Sequence, residues 1–185
     1  MNQKHSIILK MDALPIHEYA FMKPADVIFS NEVRTLCKKN TCRKYGTSWA
    51  CPPAVGSVKD CKAKCLAYEN ALMFTTTHVM KKKFDVEGWV LARRKHEETT
   101  DAVVKALRDY DAALLALSSE GCLLCKTCAY PDKPCRHTEN MYPATEGYGI
   151  LVMEQARICN VKYNNGANTV TYFSMIFFNL NESIS

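Results

Sequence analysis

Cys122, Cys125, Cys128 and Cys135 stand at the spacing C-x2-C-x2-C-x6-C, in a segment that also holds Pro131 and Pro134. Two-residue gaps let a curling loop aim successive sulfurs at different corners of one metal centre while its amides point inward. The first three cysteines match the C-x2-C-x2-C run that ligates cubane iron–sulfur clusters, and a distant fourth closes the set. The two prolines would stiffen the return loop. The segment is therefore read as a metal site, with a [4Fe-4S] cluster as its best fit. Zinc is the alternative, but zinc ribbons usually bring two C-x2-C pairs from separate turns, an arrangement that a three-cysteine run fits less well.

A second group is looser. Cys37-x4-Cys42-x8-Cys51-Pro52-Pro53 is followed by Cys61 and Cys65. Cys37, Cys42 and Cys51 could converge on a second cluster, shielded by Tyr45 and Trp49 of the same loop. Cys61 is then the candidate fourth ligand. Without it, one iron stays open to a substrate or small ligand. The i,i+4 spacing of Cys61 and Cys65 puts both on one helix face. A small buried hydrophobe is the competing role for Cys61 and the favoured one for Cys65.

Ten cysteines in 185 residues need an explanation. No export signal is recognised near the start, where Ile7-Ile8-Leu9 is the only apolar run, so disulfide stapling is set aside and the chain is read as cytoplasmic. Apolar runs such as Met175 to Phe178 fall far short of the ~20 residues of a membrane span. The composition, 48% hydrophobic and 23% charged, suits one folded domain over residues 1–185. The formal charge of +5 counts cysteines as neutral. Two clusters of about −2 each would bring it to roughly +1, so nucleic acid is not inferred as a partner. Lys38, Lys39, Arg43 and Lys44 flank the first group, and Lys126, Lys133 and Arg136 the second; cations there would offset cluster charge.

The elements that must position these loops are read from periodicity. Strands are expected at Ser6–Met11, Ala71–Met80, Ala113–Leu117 and Thr169–Phe178. In the last, Val170, Tyr172 and Ile176 point one way, and Phe173, Met175 and Phe177 the other. Such a strand is covered on both faces or lies at a subunit contact. Helices are expected at Ser57–Tyr68 with Ser57 as N-cap, at Glu97–Tyr110, and at Pro143–Cys159 with Gly147 and Gly149 weakening its start. The fold class is α/β (α+β): a central sheet of about four strands packed with helices, for which a ferredoxin-like topology is one candidate.

Taken together, several segments resemble one known family. They are Cys37-x4-Cys42-Arg-Lys-Tyr45-Gly46-x2-Trp49-x-Cys51-Pro52-Pro53-x2-Gly56, then Cys122-x2-Cys125-x2-Cys128, Pro134-Cys135-Arg136 and Glu146-x-Tyr148-Gly149. The family is that of predicted metal-binding proteins catalogued as domain of unknown function 2284, and the likeness runs from about Asp26 to Phe178. It implies a soluble prokaryotic protein whose cysteines bind metal, and it brings no known reaction. His137-Thr138 departs from the aromatic residue and proline expected after Cys135-Arg136, which bears on packing beside the centre rather than on its ligands.

The remaining candidates read as structural. His137 is a surface or packing residue, since four cysteines already suffice for the second group. His78, His96 and Cys159 are assigned packing roles, and Glu146 and Tyr148 hydrogen-bonding or capping roles. No phosphate loop, dinucleotide fingerprint or nucleophile elbow is present, and no catalytic acid–base pair is assigned. Three functions compete: an electron-transfer or metalloenzyme-accessory protein with one or two [4Fe-4S] clusters; an enzyme with an open iron at Cys37, Cys42 and Cys51; and a zinc-stabilised interaction module. The expected partner is a redox protein or metalloenzyme, with no membrane involved.

Overall fold

The computed structural model describes residues 3–82, 84–110 and 113–180. In chain order the elements are α1 (Gln3–Asp12), β1 (Glu18–Met22), α2 (Asn31–Lys38), α3 (Val58–Leu66), β2 (Asn70–Val79), α4 (Val86–Arg108), β3 (Leu114–Leu117), α5 (Val152–Ile158) and β4 (Thr169–Phe178). Short 3-10 turns lie at Pro24–Asp26 and Glu146–Tyr148. The spine is the β2–β4 pair, antiparallel from Asn70 opposite Phe178 to Val79 opposite Thr169.

The sheet order is β1-β2-β4-β3, with every neighbouring pair antiparallel. β2 and β3 therefore run the same way with β4 inserted between them, and α4 connects them. This is a split β-α-β unit, the device of ferredoxin-like sandwiches. Here the outer strand beside β2 comes from the N-terminal side of the chain.

Alternation along β2 and β4 sends successive side chains to opposite faces. Met73, Phe173, Met175 and Phe177 pack on one face against Cys61 and Cys65 of α3 and Val152 and Ala156 of α5. Leu72, Phe74, Ile176 and Phe178 pack on the other against Ile7 and Met11 of α1 and Val103, Val104 and Leu107 of α4. The apolar faces of β4 are thus both covered within the chain. Each such side chain, fully buried, contributes about 1.5–3 kcal/mol.

Several expected boundaries change. Ser6–Met11 is helical rather than extended: Ile7 and Met11, four apart, are its buried pair, so the period is that of a helix. The five-residue strand β1 was not anticipated, nor was α2, which Ser30 caps by accepting from the Glu32 N–H at 3.1 Å. Ser57 caps α3 as expected, in a capping box with Asp60. Helix α4 begins eleven residues before Glu97, capped by Asp85. Its buried side includes Arg93, His96, Thr99 and Thr100, which hide the apolar period. The single helix expected over Pro143–Cys159 is broken by Gly149 at φ +85°, and only Val152–Ile158 is α-helical.

That polar side of α4 meets the sheet in a buried hydrogen-bonded seam. His96 is fully buried, its Nδ1 2.9 Å from Thr76 Oγ1 and its Nε2 2.9 Å from Ser174 Oγ. Burial, with Arg93 nearby, depresses its pKa from 6.5 to about 3. Between those values the unfolded chain holds a proton that the folded protein excludes, so stability increases with pH across that window by up to about 1.4 kcal/mol per pH unit. Denaturant unfolding should therefore show wild type losing stability from about pH 7 to about pH 5, with a shallower loss in His96→Gln.

Candidate metal centre

Both cysteine loops are anchored where β3 ends. Ser118 bridges to Ala144 in parallel fashion, and its N–H donates to the Pro143 carbonyl at 2.9 Å. The Thr145 N–H and hydroxyl both donate to the Ser118 carbonyl, at 2.8 and 3.0 Å. The segment between Ser118 and Ala144, which carries the second cysteine group, thus leaves and returns at one point. The Ala144 N–H also donates at 2.8 Å to the carbonyl of Ala50, the residue before Cys51. One knot holds both loops.

Arg93 of α4 reaches this knot from beneath. Its side chain is 4% exposed and pairs with Glu97, while its guanidinium donates to the Ser119 carbonyl and, at 2.6 Å, to that of Gly121. Ser118 Oγ donates to Glu97 Oε1 at 2.7 Å, joining the knot to the carboxylate that pairs with Arg93. A loop with no ladder of its own thereby has its buried carbonyls satisfied.

The structure brings all four cysteines of the second group around one small cavity, together with Ser48, Trp49, Arg136 and His137. Two of the sulfurs accept backbone N–H bonds. The Leu124 N–H reaches Cys122 Sγ at 3.4 Å, and the His137 N–H reaches Cys135 Sγ at 3.4 Å. Burial raises the Cys128 pKa, but bonds from the Tyr130 and Trp49 N–H groups, the Ser48 hydroxyl and the Ala129 N–H outweigh it and hold the thiol below its ordinary value. Arg136 hydrogen-bonds to Cys125, which raises the guanidinium's own pKa. Burial raises the Cys122 thiol, as do Cys135, Cys125 and Cys128 beside it, against the Leu124 N–H. His137 is exposed, lines the cavity and offers its backbone N–H to Cys135.

Trp49 corrects one expectation. It sits in the first loop but serves the second cavity, its indole N–H donating to the Lys133 carbonyl at 3.0 Å. Its ring meets Tyr130 edge to face, with centroids 4.9 Å apart. Tyr45 does face the first cavity.

That first cavity, of about 200 Å3, is lined by Cys37, Cys42, Cys51, Tyr45, Pro52, Glu120, Ala144, Glu146 and Gly147. Cys37 lies on the last turn of α2, and its thiol approaches the Glu146 carbonyl at 3.9 Å. Arg34, one turn earlier, donates to the carbonyls of Gly56 at 2.7 Å and Gly147 at 2.5 Å, tying α2 to both flanking turns. Burial, then the Cys42 and Cys37 sulfurs, push Cys51 up to about 12. Burial and the Glu146 carboxylate likewise raise Cys37, against the pull of Arg34. Burial and Glu120 raise the Glu146 carboxyl. This is a pocket of mutually repelling acids, which a bound cation would relieve.

Cys61 does not line either cavity. It is fully buried in the core with Cys65, and its thiol donates to the Val55 carbonyl at 3.4 Å. Cys159 is half-buried, 3.8 Å from Met22 Sδ. Among the described residues no three Cys, His, Asp or Glu side chains close into a compact set around a single ion.

The two loops meet at Gly121. A β-carbon on Gly121, at φ +80°, would lie 2.8 Å from Cys51 Sγ, so only glycine lets the second loop pass this close to the first. Gly121, Arg93 and Glu146 are the residues that reading by spacing passed over or left with other roles. Adjacency to Cys122 was the one available sign for Gly121. Arg93 was masked by the charged run from Arg93 to Glu98.

A family model described as predicted metal-binding protein (DUF2284) matches residues 20–178. No curated protein and no solved structure matches the chain. No helix among the described residues is long and apolar enough to cross a membrane.

Gly121→Ala should cost about 1–3 kcal/mol for its backbone alone, and the contact with Cys51 should lower metal retention further. Gly46→Ala is the control: its φ is +69°, yet nothing lies within 4 Å of the added carbon. Denaturant midpoints and metal content of the two variants, compared side by side, check this.

Proposed function

The chain belongs to this family of predicted metal-binding proteins, and from that premise we propose an iron–sulfur protein that passes electrons or serves a metalloenzyme as an accessory. In this reading Cys122, Cys125, Cys128 and Cys135 hold one [4Fe-4S] cluster, and Cys37, Cys42 and Cys51 contribute to a second. Such a cluster, when bound, supplies one-electron storage and transfer.

The observation that carries the reading is the ring of four sulfurs, two accepting backbone N–H bonds at 3.4 Å and two set beside N–H, hydroxyl or guanidinium groups. Hydrogen bonds to sulfur stabilise thiolate charge and raise a cluster's reduction potential. The chain's own residues thus preform an electropositive seat, and Trp49 with Tyr130 restricts water on one side. The donors suit any thiolate-bound metal. The C-x2-C-x2-C run is what favours a cubane over zinc. A second reading comes from the first cavity, where three sulfurs stand with Tyr45, Glu120 and Glu146: an enzyme binding a small substrate at an iron not held by cysteine.

The test is an anaerobic, iron-replete preparation assayed for iron, acid-labile sulfide and zinc. Two cubanes give about eight irons per chain and a broad brown absorbance. Stoichiometric zinc without sulfide would overturn the iron–sulfur reading. Arg136→Ala should retain the cluster and lower its midpoint potential, read by redox titration, because a cation on Cys125 is lost. Cyanide should alter the reduced-state spectrum of the first centre only in the enzyme reading.

A further inference from the structure

The first cavity holds three sulfurs, and the cysteine expected to complete them is turned elsewhere. Cys61 is fully buried on α3 among Val55, Cys65 and Tyr148. Its sulfur is engaged on two sides, donating to the Val55 carbonyl at 3.4 Å and accepting from the Arg34 guanidinium at 3.8 Å. A ligand role would require this thiol to leave the core.

What stands beside Cys37, Cys42 and Cys51 is a pair of carboxylates, and the two differ. The Glu120 side chain is 63% exposed and leans towards Arg93, 3.9 Å from its Nε. Glu146 is half-buried and, among the described residues, has no ion-pair partner. A carboxylate withdrawn from water without a cation is costly, and a metal ion is the cation that neighbouring thiolates also require.

Glu146 is also held in place by its surroundings. It opens the 3-10 turn whose next carbonyl, that of Gly147, is gripped by Arg34, on the same helix as Cys37. Gly147 packs so closely that a β-carbon would lie 3.2 Å from Ala144 Cβ and 3.3 Å from Pro52 Cδ. The turn therefore packs closely against the Cys51-Pro52 loop. A backbone fixed in this way is part of what a preorganised metal site needs.

We propose that the Glu146 carboxylate is the fourth protein donor of the first metal centre, completing a set with Cys37, Cys42 and Cys51. The inference rests on the reading above only in that a metal occupies this cavity; which metal does not enter. Zinc and iron sites both accept mixed thiolate and carboxylate donors. A carboxylate oxygen is a harder ligand than a thiolate, which makes the first centre the more exchangeable of the two.

The experiment compares wild type, Glu146→Gln, Glu146→Cys and Cys61→Ala as full chains prepared anaerobically. Each is assayed for total metal before and after a timed chelator challenge, with circular dichroism to register folding. Cys61→Ala should keep the wild-type metal content. Glu146→Gln should lose the first centre's metal, about half of the total where the two centres are alike, or release it at least tenfold faster. Glu146→Cys should restore it and shift the absorption spectrum towards that of an all-thiolate site. Glu146→Gln that retains its metal as wild type does would overturn the proposal, as would metal loss in a folded Cys61→Ala. Should Glu146→Gln fail to fold, Glu146→Cys decides: first-centre metal retained with a shifted spectrum supports the assignment, and its loss overturns it. Failure of the iron–sulfur reading would appear separately, as wild type carrying metal without sulfide, and leaves this comparison intact.

Discussion

The buried Arg93 guanidinium is the interaction on which both cysteine loops depend. A lone cation at that depth would cost several kcal/mol. Here Glu97 pairs with it through Nη1 and the Ser119 and Gly121 carbonyls accept from Nη2, while Nε makes no hydrogen bond and lies 3.9 Å from the Glu120 carboxylate. The dependence runs both ways. Without the guanidinium, two carbonyls at the mouth of the second loop would lose their partner, at about 1–3 kcal/mol for each one left buried and unsatisfied. The stretch that delivers Cys122 to its cavity, and lays Gly121 against Cys51, is therefore set by a side chain outside either loop.

The sandwich makes that cation possible. α4 lies across β2, β4 and β3 with a polar side as well as an apolar one, and the polar side continues as a seam from Thr76 through His96 and Ser174 to Ser118 and Glu97. Val103, Val104 and Leu107, further along the same helix, secure it to the sheet by apolar burial. Packing thus fixes the helix, and the seam fixes the orientation of its polar groups. The loops receive their position from both.

What could be read from the sequence follows from how local the signals are. β4, bounded at Thr169 and Phe178 as expected, declares itself through consecutive β-branched and aromatic residues. The Ser57 cap of α3 is a short-range pattern and was equally legible. The convergence of Cys122, Cys125, Cys128 and Cys135 follows from close spacing. By contrast, α1 was mistaken for a strand because Ile7-Ile8-Leu9 carries little periodicity in so short a run. The start of α4 was missed because its buried Arg93 and His96 look like surface residues until their partners are known. Glu146 lies more than ninety residues from Cys51, and no local pattern could place it beside that cysteine.

The two loops trade parts. Trp49, two residues before Cys51, walls the cavity of the second group, and Glu120, two before Cys122, walls that of the first. Neither site is portable. A peptide cut from Gly121 to Arg136 would carry four cysteines and leave behind the indole that roofs them. One cut around Cys37 to Cys51 would arrive without its acidic side. Grafting either motif onto another scaffold would require both loops and the sheet end that crosses them, so the smallest transferable unit is close to the whole sandwich.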